Sequence, residues 1–154
     1  MKISTKSRYG TRLLVDMASH YHQGPVHLAD VAARQGISLK YLEQIIIPLK
    51  KANYIKSLRG PKGGHILARP PEEITVGEVV ALLEERDTFL DCSVRPEACA
   101  RAGLCLTRDV WREAAKVMFE HLNSVTLADL LKKCQSPATA KGESDVFPHS
   151  YGSL

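Results

Sequence analysis

No stretch of this chain approaches the roughly 18 uninterrupted apolar residues of a membrane-spanning helix, and no apolar run follows the polar, basic opening Met1-Lys2-Ile3-Ser4-Thr5-Lys6. The expectation is a soluble cytoplasmic protein with no membrane partner. Also missing is a close cysteine pair with two to four intervening residues, the usual mark of a structural zinc site. No acid/base pair or activated nucleophile stands out, so an enzyme is not expected. The four cysteines lack a secretory context, which favours metal ligands or redox thiols over a disulfide framework.

Acidic residues are scarce in the first part of the chain. Residues 1–69 carry 12 Lys/Arg against 3 Asp/Glu, net +9, while the remainder carries 9 against 14, net −5, which together make the overall +4. A basic half of this size suits a polyanion, because each cation placed on a phosphate releases condensed counterions. Nucleic acid is the leading partner on this count. A length of 154 residues allows one such domain with added elements, not two independent cores.

Leu13, Leu14, Met17, Ala18 and Tyr21 form a helical stripe that ends before the breaker pair Gly24-Pro25. Leu28, Val31 and Ala32 give a short second helix. Gln35-Gly36-Ile37-Ser38 then reads as a tight connection, with Gly36 free to take positive φ and Ser38 placed to N-cap the next helix. In that third helix Leu42, Ile45, Ile46 and Leu49 face inward, leaving Lys40, Glu43, Gln44, Ile47 and Lys51 on the outer face. Such a face fits the major groove, where glutamine pairs with adenine edges and glutamate accepts from cytosine N4. Pro48 removes a backbone donor, so a kink or early end near Ile47 is expected.

Tyr54-Ile55-Lys56-Ser57-Leu58 and His65-Ile66-Leu67-Ala68 read as strands around Arg59-Gly60-Pro61-Lys62-Gly63-Gly64. This is a wing, in which missing side chains let the backbone approach DNA while Arg59 reaches a narrow groove or a phosphate. A nucleotide-binding phosphate loop is the competing reading of these glycines, and it lacks the following lysine with Ser/Thr at a helix start.

Beyond the stiff boundary Arg69-Pro70-Pro71, Thr75 and Glu78 form a capping box for a helix through Leu83. Cys92, Cys99 and Cys105, spaced C-x6-C-x5-C, lie in a segment without strong periodicity. Three soft thiolate donors on one loop suit an iron–sulfur cluster; zinc, a thiol switch or leftover cysteines stay open on spacing alone. A helix from about Arg108 to Leu122 carries apolar residues on more than one face, which burial by a second subunit explains, with an ordinary core helix as the competing reading. Thr126 and Asp129 open a last short helix. His20, His22 and His27 invite a second metal site, but His20 and His22 point in different directions on a helix.

The expected architecture is mainly α with a small β-wing: a winged helix-turn-helix plus a long C-terminal dimerisation helix. Its parts are the DNA-binding domain over 1–69, a linking helix over 70–86, a cysteine ligand loop over 87–105, dimerisation helices over 106–133 and a disordered tail over 134–154.

Lys6-Ser7-Arg8-Tyr9, Gly36-Ile37-Ser38, Tyr41-Leu42-Glu43-Gln44, Arg59-Gly60-Pro61 with Gly63-Gly64, Val76-Gly77-Glu78-Val79, and Cys105-Leu106-Thr107 with Trp111-Arg112 resemble the IscR/NsrR/CymR group of bacterial winged-helix regulators over residues 1–131. The resemblance implies a homodimeric transcription factor, often a repressor, that binds a palindromic double-stranded operator and senses cluster status, nitric oxide, iron or cysteine supply. It implies groove-reading roles for Glu43, Gln44 and Arg59 and backbone contacts by Lys6, Arg8 and Tyr41; Lys40, Gly60, Lys62 and Gly63 complete the candidate DNA-binding set. Cys92, Cys99 and Cys105 become the cluster ligands, [2Fe-2S] favoured and [4Fe-4S] open. The histidine that serves the IscR branch as fourth ligand is replaced by Arg108, and the aspartate of one NsrR branch by Arg8. Cys92 and Cys99 are also one residue further apart than in IscR. The fourth donor is thus unassigned among Cys134, His121, Asp109, a partner-subunit residue and an exogenous thiol or water. The alternative reading is a cluster-free regulator controlled by a small molecule, thiol oxidation or a partner protein such as a cysteine-biosynthesis enzyme.

Overall fold

The computed structural model describes residues 3–84 and 99–135, so Cys92 and the expected tail from 136 lie outside the described residues, as does the side chain of Cys134. In chain order the described elements are α1 (Thr5–Ser19), α2 (Leu28–Gln35), α3 (Leu39–Lys51), β1 (Ile55–Leu58), β2 (Gly64–Leu67), α4 (Val76–Glu84), α5 (Arg108–Asn123) and α6 (Leu127–Gln135). The architecture is mainly α with one two-stranded antiparallel sheet. Among the described residues no helix is long and apolar enough to cross a membrane.

Helix α1 starts where Ser4 Oγ accepts from the Ser7 N–H at 3.1 Å, satisfying one of the orphan donors of the first turn. It stops at Ser19, short of Tyr21, which the apolar stripe had included. The reason is local: Ser19 Oγ donates to Asp16 O at 2.7 Å and His20 Nδ1 lies 2.8 Å from the same carbonyl, so side chains satisfy the end of the helix. His22 then takes a positive φ of 71° and reverses the chain.

Gly36 ends α2 in the left-handed conformation, φ 61° and ψ 38°, and the Ile37 N–H returns to Ala32 O at 3.1 Å. Ser38 occupies the N-cap position of α3 but its side chain makes no capping bond; its carbonyl instead receives the Tyr41 and Leu42 amides, both at 3.1 Å. Leu42, Ile45, Ile46 and Leu49 are buried, as their spacing predicts. The early end considered near Ile47 does not occur: α3 continues through Pro48 to Lys51. A proline inside a helix costs about 3 kcal/mol. Against that, continuing the helix buries Leu49 completely, worth roughly 1.5 to 3 kcal/mol, and lets its carbonyl accept from the Tyr54 N–H at 2.9 Å.

The wing pairs Ile55 with Leu67 and Leu58 with Gly64. Inside its turn the Gly63 N–H donates to Gly60 O at 2.9 Å, and a Cβ on Gly63 would collide with the Leu58 and Gly60 carbonyls. Val26 adds an isolated antiparallel bridge to β2: its N–H donates to His65 O at 2.8 Å and its carbonyl accepts from the His65 N–H at 2.9 Å. The loop after α1 thereby braces the wing.

One apolar core runs through the molecule, with Leu13, Leu14, Leu42 and Ile45 of the helix-turn-helix packed with Ile74, Val79, Leu83 and Leu127. Both anticipated capping boxes form. Thr75 Oγ1 accepts from the Glu78 N–H at 3.2 Å while Glu78 Oε2 accepts from the Thr75 N–H at 3.1 Å; Thr126 and Asp129 repeat the exchange at 3.1 Å each way. The two helix starts are laced together, the Val76 N–H donating to Val125 O and the Leu127 N–H to Ile74 O, both at 2.9 Å.

Candidate DNA-binding surface and cysteine segment

The outward face of α3 presents Lys40, Glu43 and Gln44, all exposed, on consecutive turns of a helix whose other face is locked in the core. Tyr41 differs. It is half-buried and meets Tyr9 of α1 edge-on, ring centroids 5.9 Å apart, so it joins α1 to α3 as well as bordering the face. Arg8 is exposed and Lys6 half-buried near the start of α1. Arg59, Gly60 and Lys62 are exposed on the wing turn, whereas Gly63 is buried beneath it. Glycine at 63 is thus demanded by the turn's own carbonyls, and close approach of a ligand is not needed to explain it.

The two described members of the cysteine trio are free thiols on the stretch leading into α5. Cys99 is half-buried and Cys105 exposed. Cys105 Sγ lies 3.4 Å from Thr107 Oγ1, and hydrogen bonds from Thr107 hold the thiol below its ordinary range, with the Arg108 amide and the Arg101 charge adding to the effect. A thiol biased toward thiolate is the ligand form that soft metals require, so the donor chemistry fits an iron–sulfur group. Among the described residues no three His, Cys, Asp or Glu converge on a common centre. Of the fourth-ligand candidates, Asp109 stands in the first turn of α5 and pairs with Arg112 at 3.0 Å. His121 sits at the far end of that helix, about 20 Å of helical rise from Arg108, too far to share a centre with Cys105 of its own subunit.

Residues 3–133 match the Rrf2 family, described as an iron-dependent transcriptional regulator. The chain belongs to the Rrf2 family. It is 47% identical over 150 residues to the protein rrf2 of Nitratidesulfovibrio vulgaris, covering 97% of this chain and 99% of that one. The solved structure of T. potens IscR superposes with a TM-score of 0.72 at 41% identity, covering 93% of both chains. CymR (YrzC), the global cysteine regulator of B. subtilis, reaches the same TM-score of 0.72 at 34% identity over 86% of this chain and 98% of its own. This Rrf2-family protein is therefore a DNA-binding transcriptional regulator with a winged-helix fold.

One network in this Rrf2-family chain escaped the reading of its sequence. Asp16 of α1, 6% exposed, accepts from Arg34 Nε at 3.0 Å, Arg34 Nη2 at 2.6 Å and Gln35 Nε2 at 2.9 Å. Arg12 in turn donates to Gln35 Oε1 at 3.1 Å and to the Gln35 carbonyl. Burial pushes the Asp16 carboxyl up, but the hydrogen bonds from Arg34 and Gln35 and the positive charges of Arg34 and His20 outweigh it and leave the group below 3.8. Two of the basic residues that raised the charge of the N-terminal half thus hold the end of α2, and with it the turn into α3. The separations involved, 18 to 23 residues, carry no periodic signal that sequence inspection can detect.

Proposed function

We propose that this chain works as a homodimer that grips a palindromic operator, in most contexts as a repressor, and that an iron–sulfur cluster on Cys92, Cys99 and Cys105 governs the grip. Lys40, Glu43, Gln44 and Arg59 read the grooves, while Lys6, Arg8, Tyr41, Gly60 and Lys62 fix the phosphates. The observation that carries the reading is the placement of Cys99 and Cys105, free and six positions apart, immediately before α5. Support for a dimer comes from α5, where no residue is buried and Val110 and Val117 are 60% and 56% exposed on a helix that also bears Trp111. A cluster held by the three thiolates would supply an oxidisable sulfur-ligated core, [2Fe-2S] by the likeness to IscR and with [4Fe-4S] as the competitor.

The chain's own part in coupling is physical. Glu84, the last residue of α4, accepts from the Ser4 N–H at 2.8 Å at the start of α1. That bond ties the end of α4 to the turn that carries Lys6 and Arg8, and the proposed cysteine loop over 87–105 follows α4 in the sequence. A coupling of ~1 to 3 kcal/mol corresponds to roughly 5- to 150-fold regulation.

Anaerobic purification followed by iron and acid-labile sulfide analysis and a Mössbauer spectrum tests the cofactor. Brown protein with iron and sulfide in comparable amounts supports the reading. A second reading is favoured by the exposed, thiolate-biased Cys105 and by likeness to a cysteine regulator: a cluster-free switch driven by thiol oxidation, a small molecule or a partner protein. Colourless, metal-free protein that resists reconstitution selects that one.

A further inference from the structure

We infer that Ile47 is a base-reading residue that senses the 5-methyl group of thymine, a role resting on the proposed insertion of α3 into the major groove. Ile47 is 52% exposed, more than Leu39 at the first position of α3 (41%), whereas Leu42, Ile45, Ile46 and Leu49 are buried. It stands on the polar side of the helix, one turn beyond Glu43 and Gln44 and one turn before Lys51. A β-branched apolar side chain in that setting leaves hydrocarbon in water without helping the fold, and no part of the described chain covers it. The occupant is chosen by its surroundings. Lys40 and Lys51 flank the same face with positive charge, and the half of the chain that carries it is net +9. Duplex DNA is the polyanion that offers hydrocarbon inside an otherwise polar groove, and it does so only at the thymine methyl. Side chains at i and i+4 lie about 6 Å apart along the axis, close to two base-pair steps of about 3.4 Å. The thymine addressed by Ile47 therefore falls about two steps from the base addressed by Glu43.

The stiffness of the side chain strengthens the argument. Isoleucine in a helix keeps essentially one χ1 rotamer, so its methyl groups lose little freedom on contact, unlike the lysines around it.

The test is a methyl-deletion cycle. Duplexes are selected from a random library by the protein itself, and each thymine of the selected site is then replaced by deoxyuridine, which removes the methyl group and nothing else. Wild type is expected to lose about fourfold in affinity at one thymine per half-site, the effect of one buried carbon. Ile47→Ala is expected to bind the thymine duplex more weakly and to show no further loss on that replacement, while Ile47→Val keeps part of the discrimination. Circular dichroism confirms that both variants are folded, as expected for an exposed site. Equal deoxyuridine penalties in wild type and Ile47→Ala at every position overturn the inference. So does an Ile47→Ala variant whose only change is in oligomeric state, since that places the side chain in a protein interface. Failure to select any duplex refutes the DNA-binding reading together with this one; selection of a duplex with no methyl-sensitive position refutes only this one.

Discussion

Replacing Asp16 by alanine should destabilise the protein by about 2 to 3 kcal/mol. The carboxylate is 6% exposed and receives three hydrogen bonds from Arg34 and Gln35 at 2.6 to 3.0 Å. Removing one partner of a fully buried charged pair costs about 3 to 5 kcal/mol. Here the Arg34 side chain is 40% exposed, so water recovers part of its hydrogen bonding and the loss is smaller. Urea unfolding at fixed protein concentration reads this as a fall in midpoint of about 1 M, given a slope of ~2 to 3 kcal/mol per M for a chain of this size. Asp16→Asn, which keeps the shape and one acceptor, should lose about half as much. The pH dependence separates charge from packing. Because the folded-state value of Asp16 lies below 3.8, its contribution is fully present above that pH and disappears as pH falls through the folded value. Wild type and Asp16→Asn should therefore differ at pH 6 and converge as the pH falls through the folded-state value of Asp16. A midpoint unchanged within 0.3 M, or a gap between the two proteins that persists at low pH, would refute the claim that the charged network holds α1 to α2.

Two further outcomes follow from the exposed surfaces. Arg59→Ala should weaken operator binding by ~1 to 3 kcal/mol in a titration at constant salt, with stability unchanged, because Arg59 is exposed on the wing turn; an unaltered affinity rejects its role in the groove. Val117→Glu should shift sedimentation from dimer toward monomer, since it places a charge in the middle of the apolar face of α5, and an unchanged sedimentation coefficient would move the dimer contact elsewhere.

Local chemistry made much of this fold legible. The capping boxes at Thr75 and Thr126, the left-handed Gly36 and the buried stripe of α3 each depend on residues within a few positions of one another, and each is present. What stayed hidden depends on partners far along the chain. The continuation of α3 past Pro48 was hidden because the burial of Leu49 by other elements is invisible locally. Val26 lies in no periodic pattern, yet it extends the wing. Arg12 and Arg34 look like any other cations of the basic half until Asp16 and Gln35 are seen beside them. The same holds for the candidate site. The outward-facing positions of α3 could be picked out from helical spacing, whereas the tight fit of Gly63 beneath the wing turn required the carbonyls of Leu58 and Gly60.

The most direct test of the whole account compares operator affinity, without oxygen and at one salt concentration, for protein carrying iron and sulfide, for the same preparation after chelation, and for a Cys92→Ala, Cys99→Ala, Cys105→Ala variant. The account predicts that the loaded protein differs from the other two by roughly 5- to 150-fold, or selects a different site, while the stripped protein and the variant agree with each other. Identical affinity and identical site choice in all three would contradict it.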